Sequence, residues 1–435
     1  MAPRSREQLI DTFYKALNNL ELFPLETQEN LDKFVIGYDD TTLNELEDLV
    51  TYTSSKDEKI IFSGHTGCGK STLLAALERR FTSSRLVVRF SIANMIENAD
   101  INHINILFSI AIKLMEEAEK QNVPLSQQTK QEILNWFAKR TKIEQAELKT
   151  EANVGANILS IIGLRLKVDA AIREEIKQEF QHKVTDLVSK LNDIISIIGT
   201  AVGKPILVII DDIDKLDLRV ISEIFVSNIK ALFLPNCQII YTLPISALHD
   251  KDILPVLETE TSDRIVQMRV LKLFVKGESH KPDPQPVPKT RKLLLELLGK
   301  RINLELFETD AVDDLIIYSG GVLREVIRIV QQCCRLALGR IRRAPEDEDF
   351  SDYKISTAIV GEAINKLRLQ ISRPLGKIDL EILDQVYRNY APDDPRDDEF
   401  LGLLKGLQVV EYRNSKEWHD VHPILWELMA ERQQA

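Results

Sequence analysis

The chain has little that would cross-link it, anchor it in a membrane or draw it to a polyanion. Its 435 residues include four cysteines, Cys68, Cys237, Cys333 and Cys334. None stands in a CxxC pair and two are adjacent, which suits neither a disulfide frame nor a zinc site. They are expected to be reduced thiols in a cytoplasmic protein. No run of about 18 uncharged apolar residues occurs, so no membrane span is expected. The opening residues Met1–Gln8 are polar and lack the apolar stretch of a secretory signal. Positive charge is in deficit as well: the formal net charge is −11, so bulk charge does not point to nucleic acid.

What the chain does have is enough apolar material for real cores. Hydrophobic residues make up 44% and charged residues 28%, an ordinary soluble composition, and the length predicts two or three domains. Residues 1–55 look helical and introductory, with apolar residues at helical spacing in Leu43–Val50. Four runs read as buried strands: Arg85–Ile92, Pro205–Asp212, Cys237–Pro244 and Arg264–Val270. Three of them are nearly continuous in Val, Ile and Leu, as strands covered on both faces should be. Helical patterns separate them, which predicts a parallel α/β sheet. Over a hundred residues of helical pattern separate Arg85–Ile92 from Pro205–Asp212, too many for a simple crossover, so a helical insertion is expected at about 100–200. Within it, Val154–Leu164 is uncharged and apolar, either packed as a hairpin or presented as a surface that binds a partner or touches a membrane.

The core is expected to span 56–276. Gly277–Lys292 follows, with alternate prolines at 282, 284, 286 and 288, which favours an extended loop. Residues 290–368 read as a helical lid. From 372 to 435 the order is helix, helix, short hairpin, helix, which is the order of a winged helix.

The chemistry sits in Ile60–Phe81. Gly64-His65-Thr66-Gly67-Cys68-Gly69-Lys70-Ser71 matches GxxxxGK(S/T) in full. A phosphate is held there by backbone N–H groups, which only a tight, glycine-permitted loop aims inward. The following helix N-terminus favours negative charge. Lys70 is expected on the β- and γ-phosphates, Ser71 on Mg²⁺, and Thr72 beside them. "KIIF" supplies the strand before the motif and "STLLAALERRF" the helix after it, the context the motif needs. A second element, Ile206–Ile210 running into Asp211-Asp212, matches hhhhD(D/E). Asp211 is expected to hold Mg²⁺ through the metal's waters. Asp212 takes the position that polarises an attacking water. Asp214 and Lys215 extend the run and are read as orienting the loop or pairing with a neighbour.

These residues together resemble the AAA+ superfamily and its signal-transducing relatives, the STAND and KAP-like P-loop ATPases. The resemblance implies an α/β P-loop NTPase core with a parallel sheet and a helical lid, with ATP and Mg²⁺ as cofactors. The helical insertion falls outside a common AAA+ pattern. "QIIYTLP" is similar to the strand that ends in the sensor 1 residue, which falls on Thr242. "YSGGVLREVIRIV" is similar to the sensor 2 segment, whose arginine falls on Arg324. "FVIGYDDTTLNELEDLV" resembles the segment that precedes the phosphate loop in origin-recognition-like ATPases and packs by the adenine, placing Ile36, Gly37 and Tyr38 there without the usual Arg-Glu pair. For a trans-acting arginine finger, Arg264 leads, ahead of Arg269 and Arg301.

In origin-recognition and transposition-regulator relatives DNA is bound. From Ser372 to Ala435 there are eight Lys/Arg against thirteen Asp/Glu, a net of −5, and the helix "FLGLLKGL" offers only Lys405. Phosphate contacts need Lys and Arg, so a protein-interaction role is favoured for this segment. The best basic patch is Arg335, Arg340, Arg342 and Arg343. Three readings stand: a nucleotide-dependent switch or assembly ATPase, such as one in a prokaryotic defence system; a DNA loader or remodeller; and a non-hydrolysing scaffold. A protein partner or self-assembly is expected, and no membrane.

Overall fold

The structure is a computed structural model that describes residues 5–22, 25, 27–37, 40–52, 57–143, 158–413 and 416–434. By their contacts the residues divide into two units. One comprises Thr41–Ser63 and Leu74–Gln267; the other comprises Met1–Asp40, Gly64–Leu73 and Met268–Ala435.

The first unit is an α/β layer around a five-stranded sheet. Its strands are β1 (Lys59–Gly64), β2 (Leu86–Ser91), β3 (Ile206–Asp211), β4 (Gln238–Pro244) and β5 (Ile265–Met268), in the order β2-β3-β4-β1-β5. β2 and β3 pair in parallel with Leu86 opposite Ile206 and Ser91 opposite Asp211. β3 and β4 are parallel too, with Ile210 opposite Tyr241. β1, β3 and β4 are buried at every position, which is why their sequences run apolar without alternation. The parallel sheet expected from the sequence is therefore present, and its register carries the ends of β2 and β3 side by side.

The described part of the long segment after β2 is largely helical. Helices His103–Lys120, Gln127–Arg140, Ile158–Val168, Ala170–Phe180 and Val184–Val202 join the sheet in one apolar core. The last of them stops at Gly203, whose φ of 67° gives the left-handed cap that a glycine adopts without strain. Arg173, 1% exposed, holds this bundle from inside. Its guanidinium donates to the carbonyls of Leu166 and Lys167 and pairs with Asp100. A buried arginine is tolerable only when its donors are met in this way. Of the apolar stretch Val154–Leu164, the described part, from residue 158, begins a helix. Leu159 and Ile162 are buried there, while Leu164 is exposed.

The second unit is built on the helix Leu323–Arg343, packed in one core with the helices Arg6–Asn19, Pro288–Gly299, Thr309–Tyr318 and Thr357–Ser372. Ser5 opens the first with a capping box to Gln8. Pro288, the last of the alternate prolines, opens Pro288–Gly299, where its missing N–H is not needed. Past residue 372 come helices Lys377–Asn389 and Asp398–Lys405. An antiparallel pair follows, β6 (Val409–Arg413) and β7 (Glu417–Val421), and then the helix Trp426–Gln434.

Candidate functional site: a phosphate loop and an acidic strand end

The phosphate loop lies in the second unit. Gly67 and Gly69 have φ of 83° and 106°, backbone that L side chains rarely adopt. Gly64 has a different reason to be glycine: a Cβ there would come 2.9 Å from the Met268 carbonyl oxygen. Lys70 is 5% exposed, and its ammonium donates to the carbonyls of Gly64 and His65, both at 2.9 Å. Thr72 accepts from the Leu25 amide through its hydroxyl at 3.4 Å. Cys68 is buried and Thr66 exposed; Ser71 is half-buried as it opens the helix Lys70–Phe81.

Two other parts of the chain bond directly to this loop. The Arg324 amide donates to the Gly67 carbonyl at 3.1 Å, and a Cβ on Gly67 would meet the Arg324 Cβ at 2.7 Å. The Glu411 amide, on β6, donates to His65 Nε2 at 2.8 Å, inside the protein. A third contact fixes β6 to the turn before Arg324: the Tyr412 hydroxyl donates to the Gly320 carbonyl at 2.7 Å. That turn holds Gly320 and Gly321 at φ 61° and 78°. A Cβ on Gly321 would lie 1.9 Å from the Leu271 carbonyl oxygen, which no side chain survives. Close by, His422 is fully buried and accepts from the Ile424 amide. Desolvation, then the charges of Arg328 and His65, pushes its pKa down to about 3.

In the first unit the acidic residues gather at the C-terminal end of β3. Asp211 is 4% exposed and accepts from the Asp212 amide at 2.8 Å. Asp212 adopts φ 70°, a left-handed turn that aspartate accepts better than most residues. Its carboxylate receives the Ser91 hydroxyl at 2.5 Å and the Lys215 ammonium at 2.6 Å. Asp211, Asp212 and Asp214 each offer an oxygen within 4.8 Å of the others. Hard carboxylate oxygens at that spacing fit Mg²⁺ or another hard cation. Thr242 is completely buried and donates to the Ile210 carbonyl of the neighbouring strand at 3.2 Å.

Ser91 was not among the expected site residues. The signal was a serine closing the strand Leu86–Ser91, but its partner stands over a hundred residues further along the chain. Tyr38 lies outside the described residues; Ile36 is buried and Gly37 exposed. Among the arginines considered as fingers, Arg264 pairs with Glu58 at 2.7 Å and bonds to the Thr261 carbonyl. Arg301 gives its donors to the carbonyls of Phe34 and Leu297. Arg269 is exposed.

A glycine-rich loop between a buried strand and a helix, with an acidic end on another strand of the sheet, defines a P-loop nucleotide-binding protein. Residues 41–241 match the KAP family P-loop domain, and over that segment the resemblance read from the motifs holds. No curated protein matches the sequence. Among solved structures, Cdc6p from Pyrobaculum aerophilum is 12% identical, with 92% of this chain and 98% of that one covered, at a TM-score of 0.40. The Aeropyrum pernix ORC2 protein, solved as ADPNP–ADP complexes, is 10% identical, with 96% and 98% covered, at 0.41. The Aeropyrum pernix ORC1 protein, solved in complex with DNA, is 12% identical, with 92% and 95% covered, at 0.35. Among the described residues no helix is long and apolar enough to cross a membrane.

Proposed function

We propose that the protein is a nucleotide-driven switch or assembly ATPase, in which bound ATP sets the position of the C-terminal segment and hydrolysis resets it. The observation that carries this reading is the pair of backbone amides that donate to the phosphate loop, Arg324 to the Gly67 carbonyl and Glu411 to the His65 ring. A loop that only anchored a nucleotide would have no need of partners on two other elements. Those bonds hold loop acceptors, the Gly67 carbonyl and His65 Nε2, while a phosphate takes the loop's N–H groups; turning the loop's peptides toward a phosphate shifts the acceptors as well, which links nucleotide and C-terminal segment.

In this reading Lys70 exchanges its two carbonyl partners for the β- and γ-phosphates, while Ser71 and Asp211 hold Mg²⁺. The ion supplies charge neutralisation at the leaving phosphate. Asp212 orients the attacking water, and Ser91 and Lys215 govern where its carboxylate points. Thr242 stands as the strand-end residue and Arg324 as the lid residue that report on the γ-phosphate. Residues 372–435 form a winged-helix-like module whose net charge of −5 favours a protein partner, or a second copy of the chain, over DNA.

The test is mass photometry of the full chain without nucleotide, with ADP, and with a non-hydrolysable ATP analogue, together with limited proteolysis. A change in oligomer profile or cleavage pattern between ADP and the analogue is expected. Identical profiles and patterns in all three states refute the switch. Turnover that survives Asp212→Asn refutes the role given to Asp212 alone, and a wild-type chain with no turnover refutes the hydrolytic reset.

A further inference from the structure

A cavity lies within the second unit, beside the end of the helix Leu323–Arg343. It has a volume of about 440 Å³, in the range of small-molecule sites. Its apolar floor is Phe350 and Ile359, both buried. Its polar lining is unusual in how much of it is unused. The side chains of Arg343 and Lys354 form no hydrogen bond or ion pair among the described residues. The Tyr353 hydroxyl is buried with no hydrogen-bond partner. Ser356, which precedes the helix Thr357–Ser372, makes no capping bond with its own hydroxyl. Arg340 also lines the cavity but is committed to Glu362 at 2.8 Å. Glu348 brings one negative charge to the lining. The uncommitted groups therefore amount to two cations and two hydroxyls, against a single carboxylate.

We propose that this cavity binds a phosphate-bearing small molecule, independently of the phosphate loop. Arg343 and Lys354 would neutralise the anion. Tyr353 and Ser356 would each give it a hydroxyl donor, and any apolar body would lie on Phe350 and Ile359. A buried hydroxyl without a partner costs the fold free energy, and that cost is recovered only when an acceptor arrives. Arg6 does not take part: it is occupied with the carbonyls of Arg342, Ala344 and Pro345.

The experiment is equilibrium dialysis of radiolabelled inorganic phosphate and pyrophosphate against the full chain carrying Lys70→Ala, which keeps the phosphate loop out of the measurement. Saturable binding is expected in that background. Arg343→Glu with Lys354→Glu should raise Kd by at least about tenfold, the scale of one charge-assisted hydrogen bond. Both side chains are exposed, so folding should be unaffected. Tyr353→Phe separates binding from stability. It should weaken binding severalfold yet leave the melting temperature of the ligand-free protein unchanged or higher, because it deletes an unpartnered buried hydroxyl. Binding that persists in the double variant overturns the proposal. So does the absence of saturable binding at millimolar anion, or a Tyr353→Phe chain that melts lower and binds as before.

Discussion

Replacing His422 with asparagine removes a fully buried titrating group from the second unit. Folded, His422 keeps the neutral form down to about pH 3, because burial and then the charges of Arg328 and His65 oppose protonation. Unfolded, it takes up a proton near pH 6.5. The unfolded chain thus binds more protons below pH 6.5. The neutral histidine's contribution is fully present above that value and is lost as pH falls from 6.5 toward 3. The slope is about 1.4 kcal/mol per pH unit, so acidification from pH 6.5 to 5 costs about 2 kcal/mol through this residue alone. Asparagine does not titrate, and its side-chain oxygen can replace Nδ1 as acceptor for the Ile424 amide, a position where asparagine is favoured. The assay is proton uptake on complete unfolding at pH 5, followed with an indicator dye. This count needs no assumption about how many steps unfolding takes. Wild type should take up about one proton more than His422→Asn. Equal uptake by the two chains would refute the reasoning, since it would mean that His422 is already charged in the folded protein.

Three further outcomes follow from the geometry. Gly321→Ala should lower the melting temperature by several degrees or abolish folding, because its Cβ would meet the Leu271 carbonyl oxygen at 1.9 Å; circular dichroism melts decide it. Asp212→Asn should remove ATP turnover while retaining nucleotide binding, measured by phosphate release beside fluorescent-nucleotide titration. Cys68 is 2% exposed, so its alkylation should be slow and slower still with ATP bound; equal labelling with and without nucleotide by mass spectrometry counts against an occupied loop.

Much of the sheet was legible because most of its strands are short runs rich in Val, Ile and Leu, and their length separates them from the helices around them. The phosphate loop was legible for a different reason: glycine, lysine and serine at fixed spacing have few uses other than holding phosphate. What remained hidden depends on contacts between residues distant in sequence. Ser91 meets Asp212 only because β2 and β3 are neighbours in one register. His65 is an unspecified position of the phosphate motif, so nothing in the sequence marks it as the acceptor for β6. Glycines 320 and 321 stand in the segment likened to sensor 2, but the carbonyl that excludes a side chain from Gly321 comes from residue 271. Position 324 was found by likeness to a lid arginine, and it is the backbone of that residue, not its guanidinium, that bonds to the loop.

The unit that contains the phosphate loop is assembled from three stretches of chain, of which the loop is by far the shortest. This limits how the protein can be divided for experiment. A fragment ending near residue 276 keeps every residue of the nucleotide motifs but loses Arg324, Glu411 and the amides they place on the loop. Nucleotide affinity measured on such a fragment would describe a loop released from its partners. A comparison of that fragment with the whole chain gives directly the free energy by which the C-terminal segment restrains or assists binding.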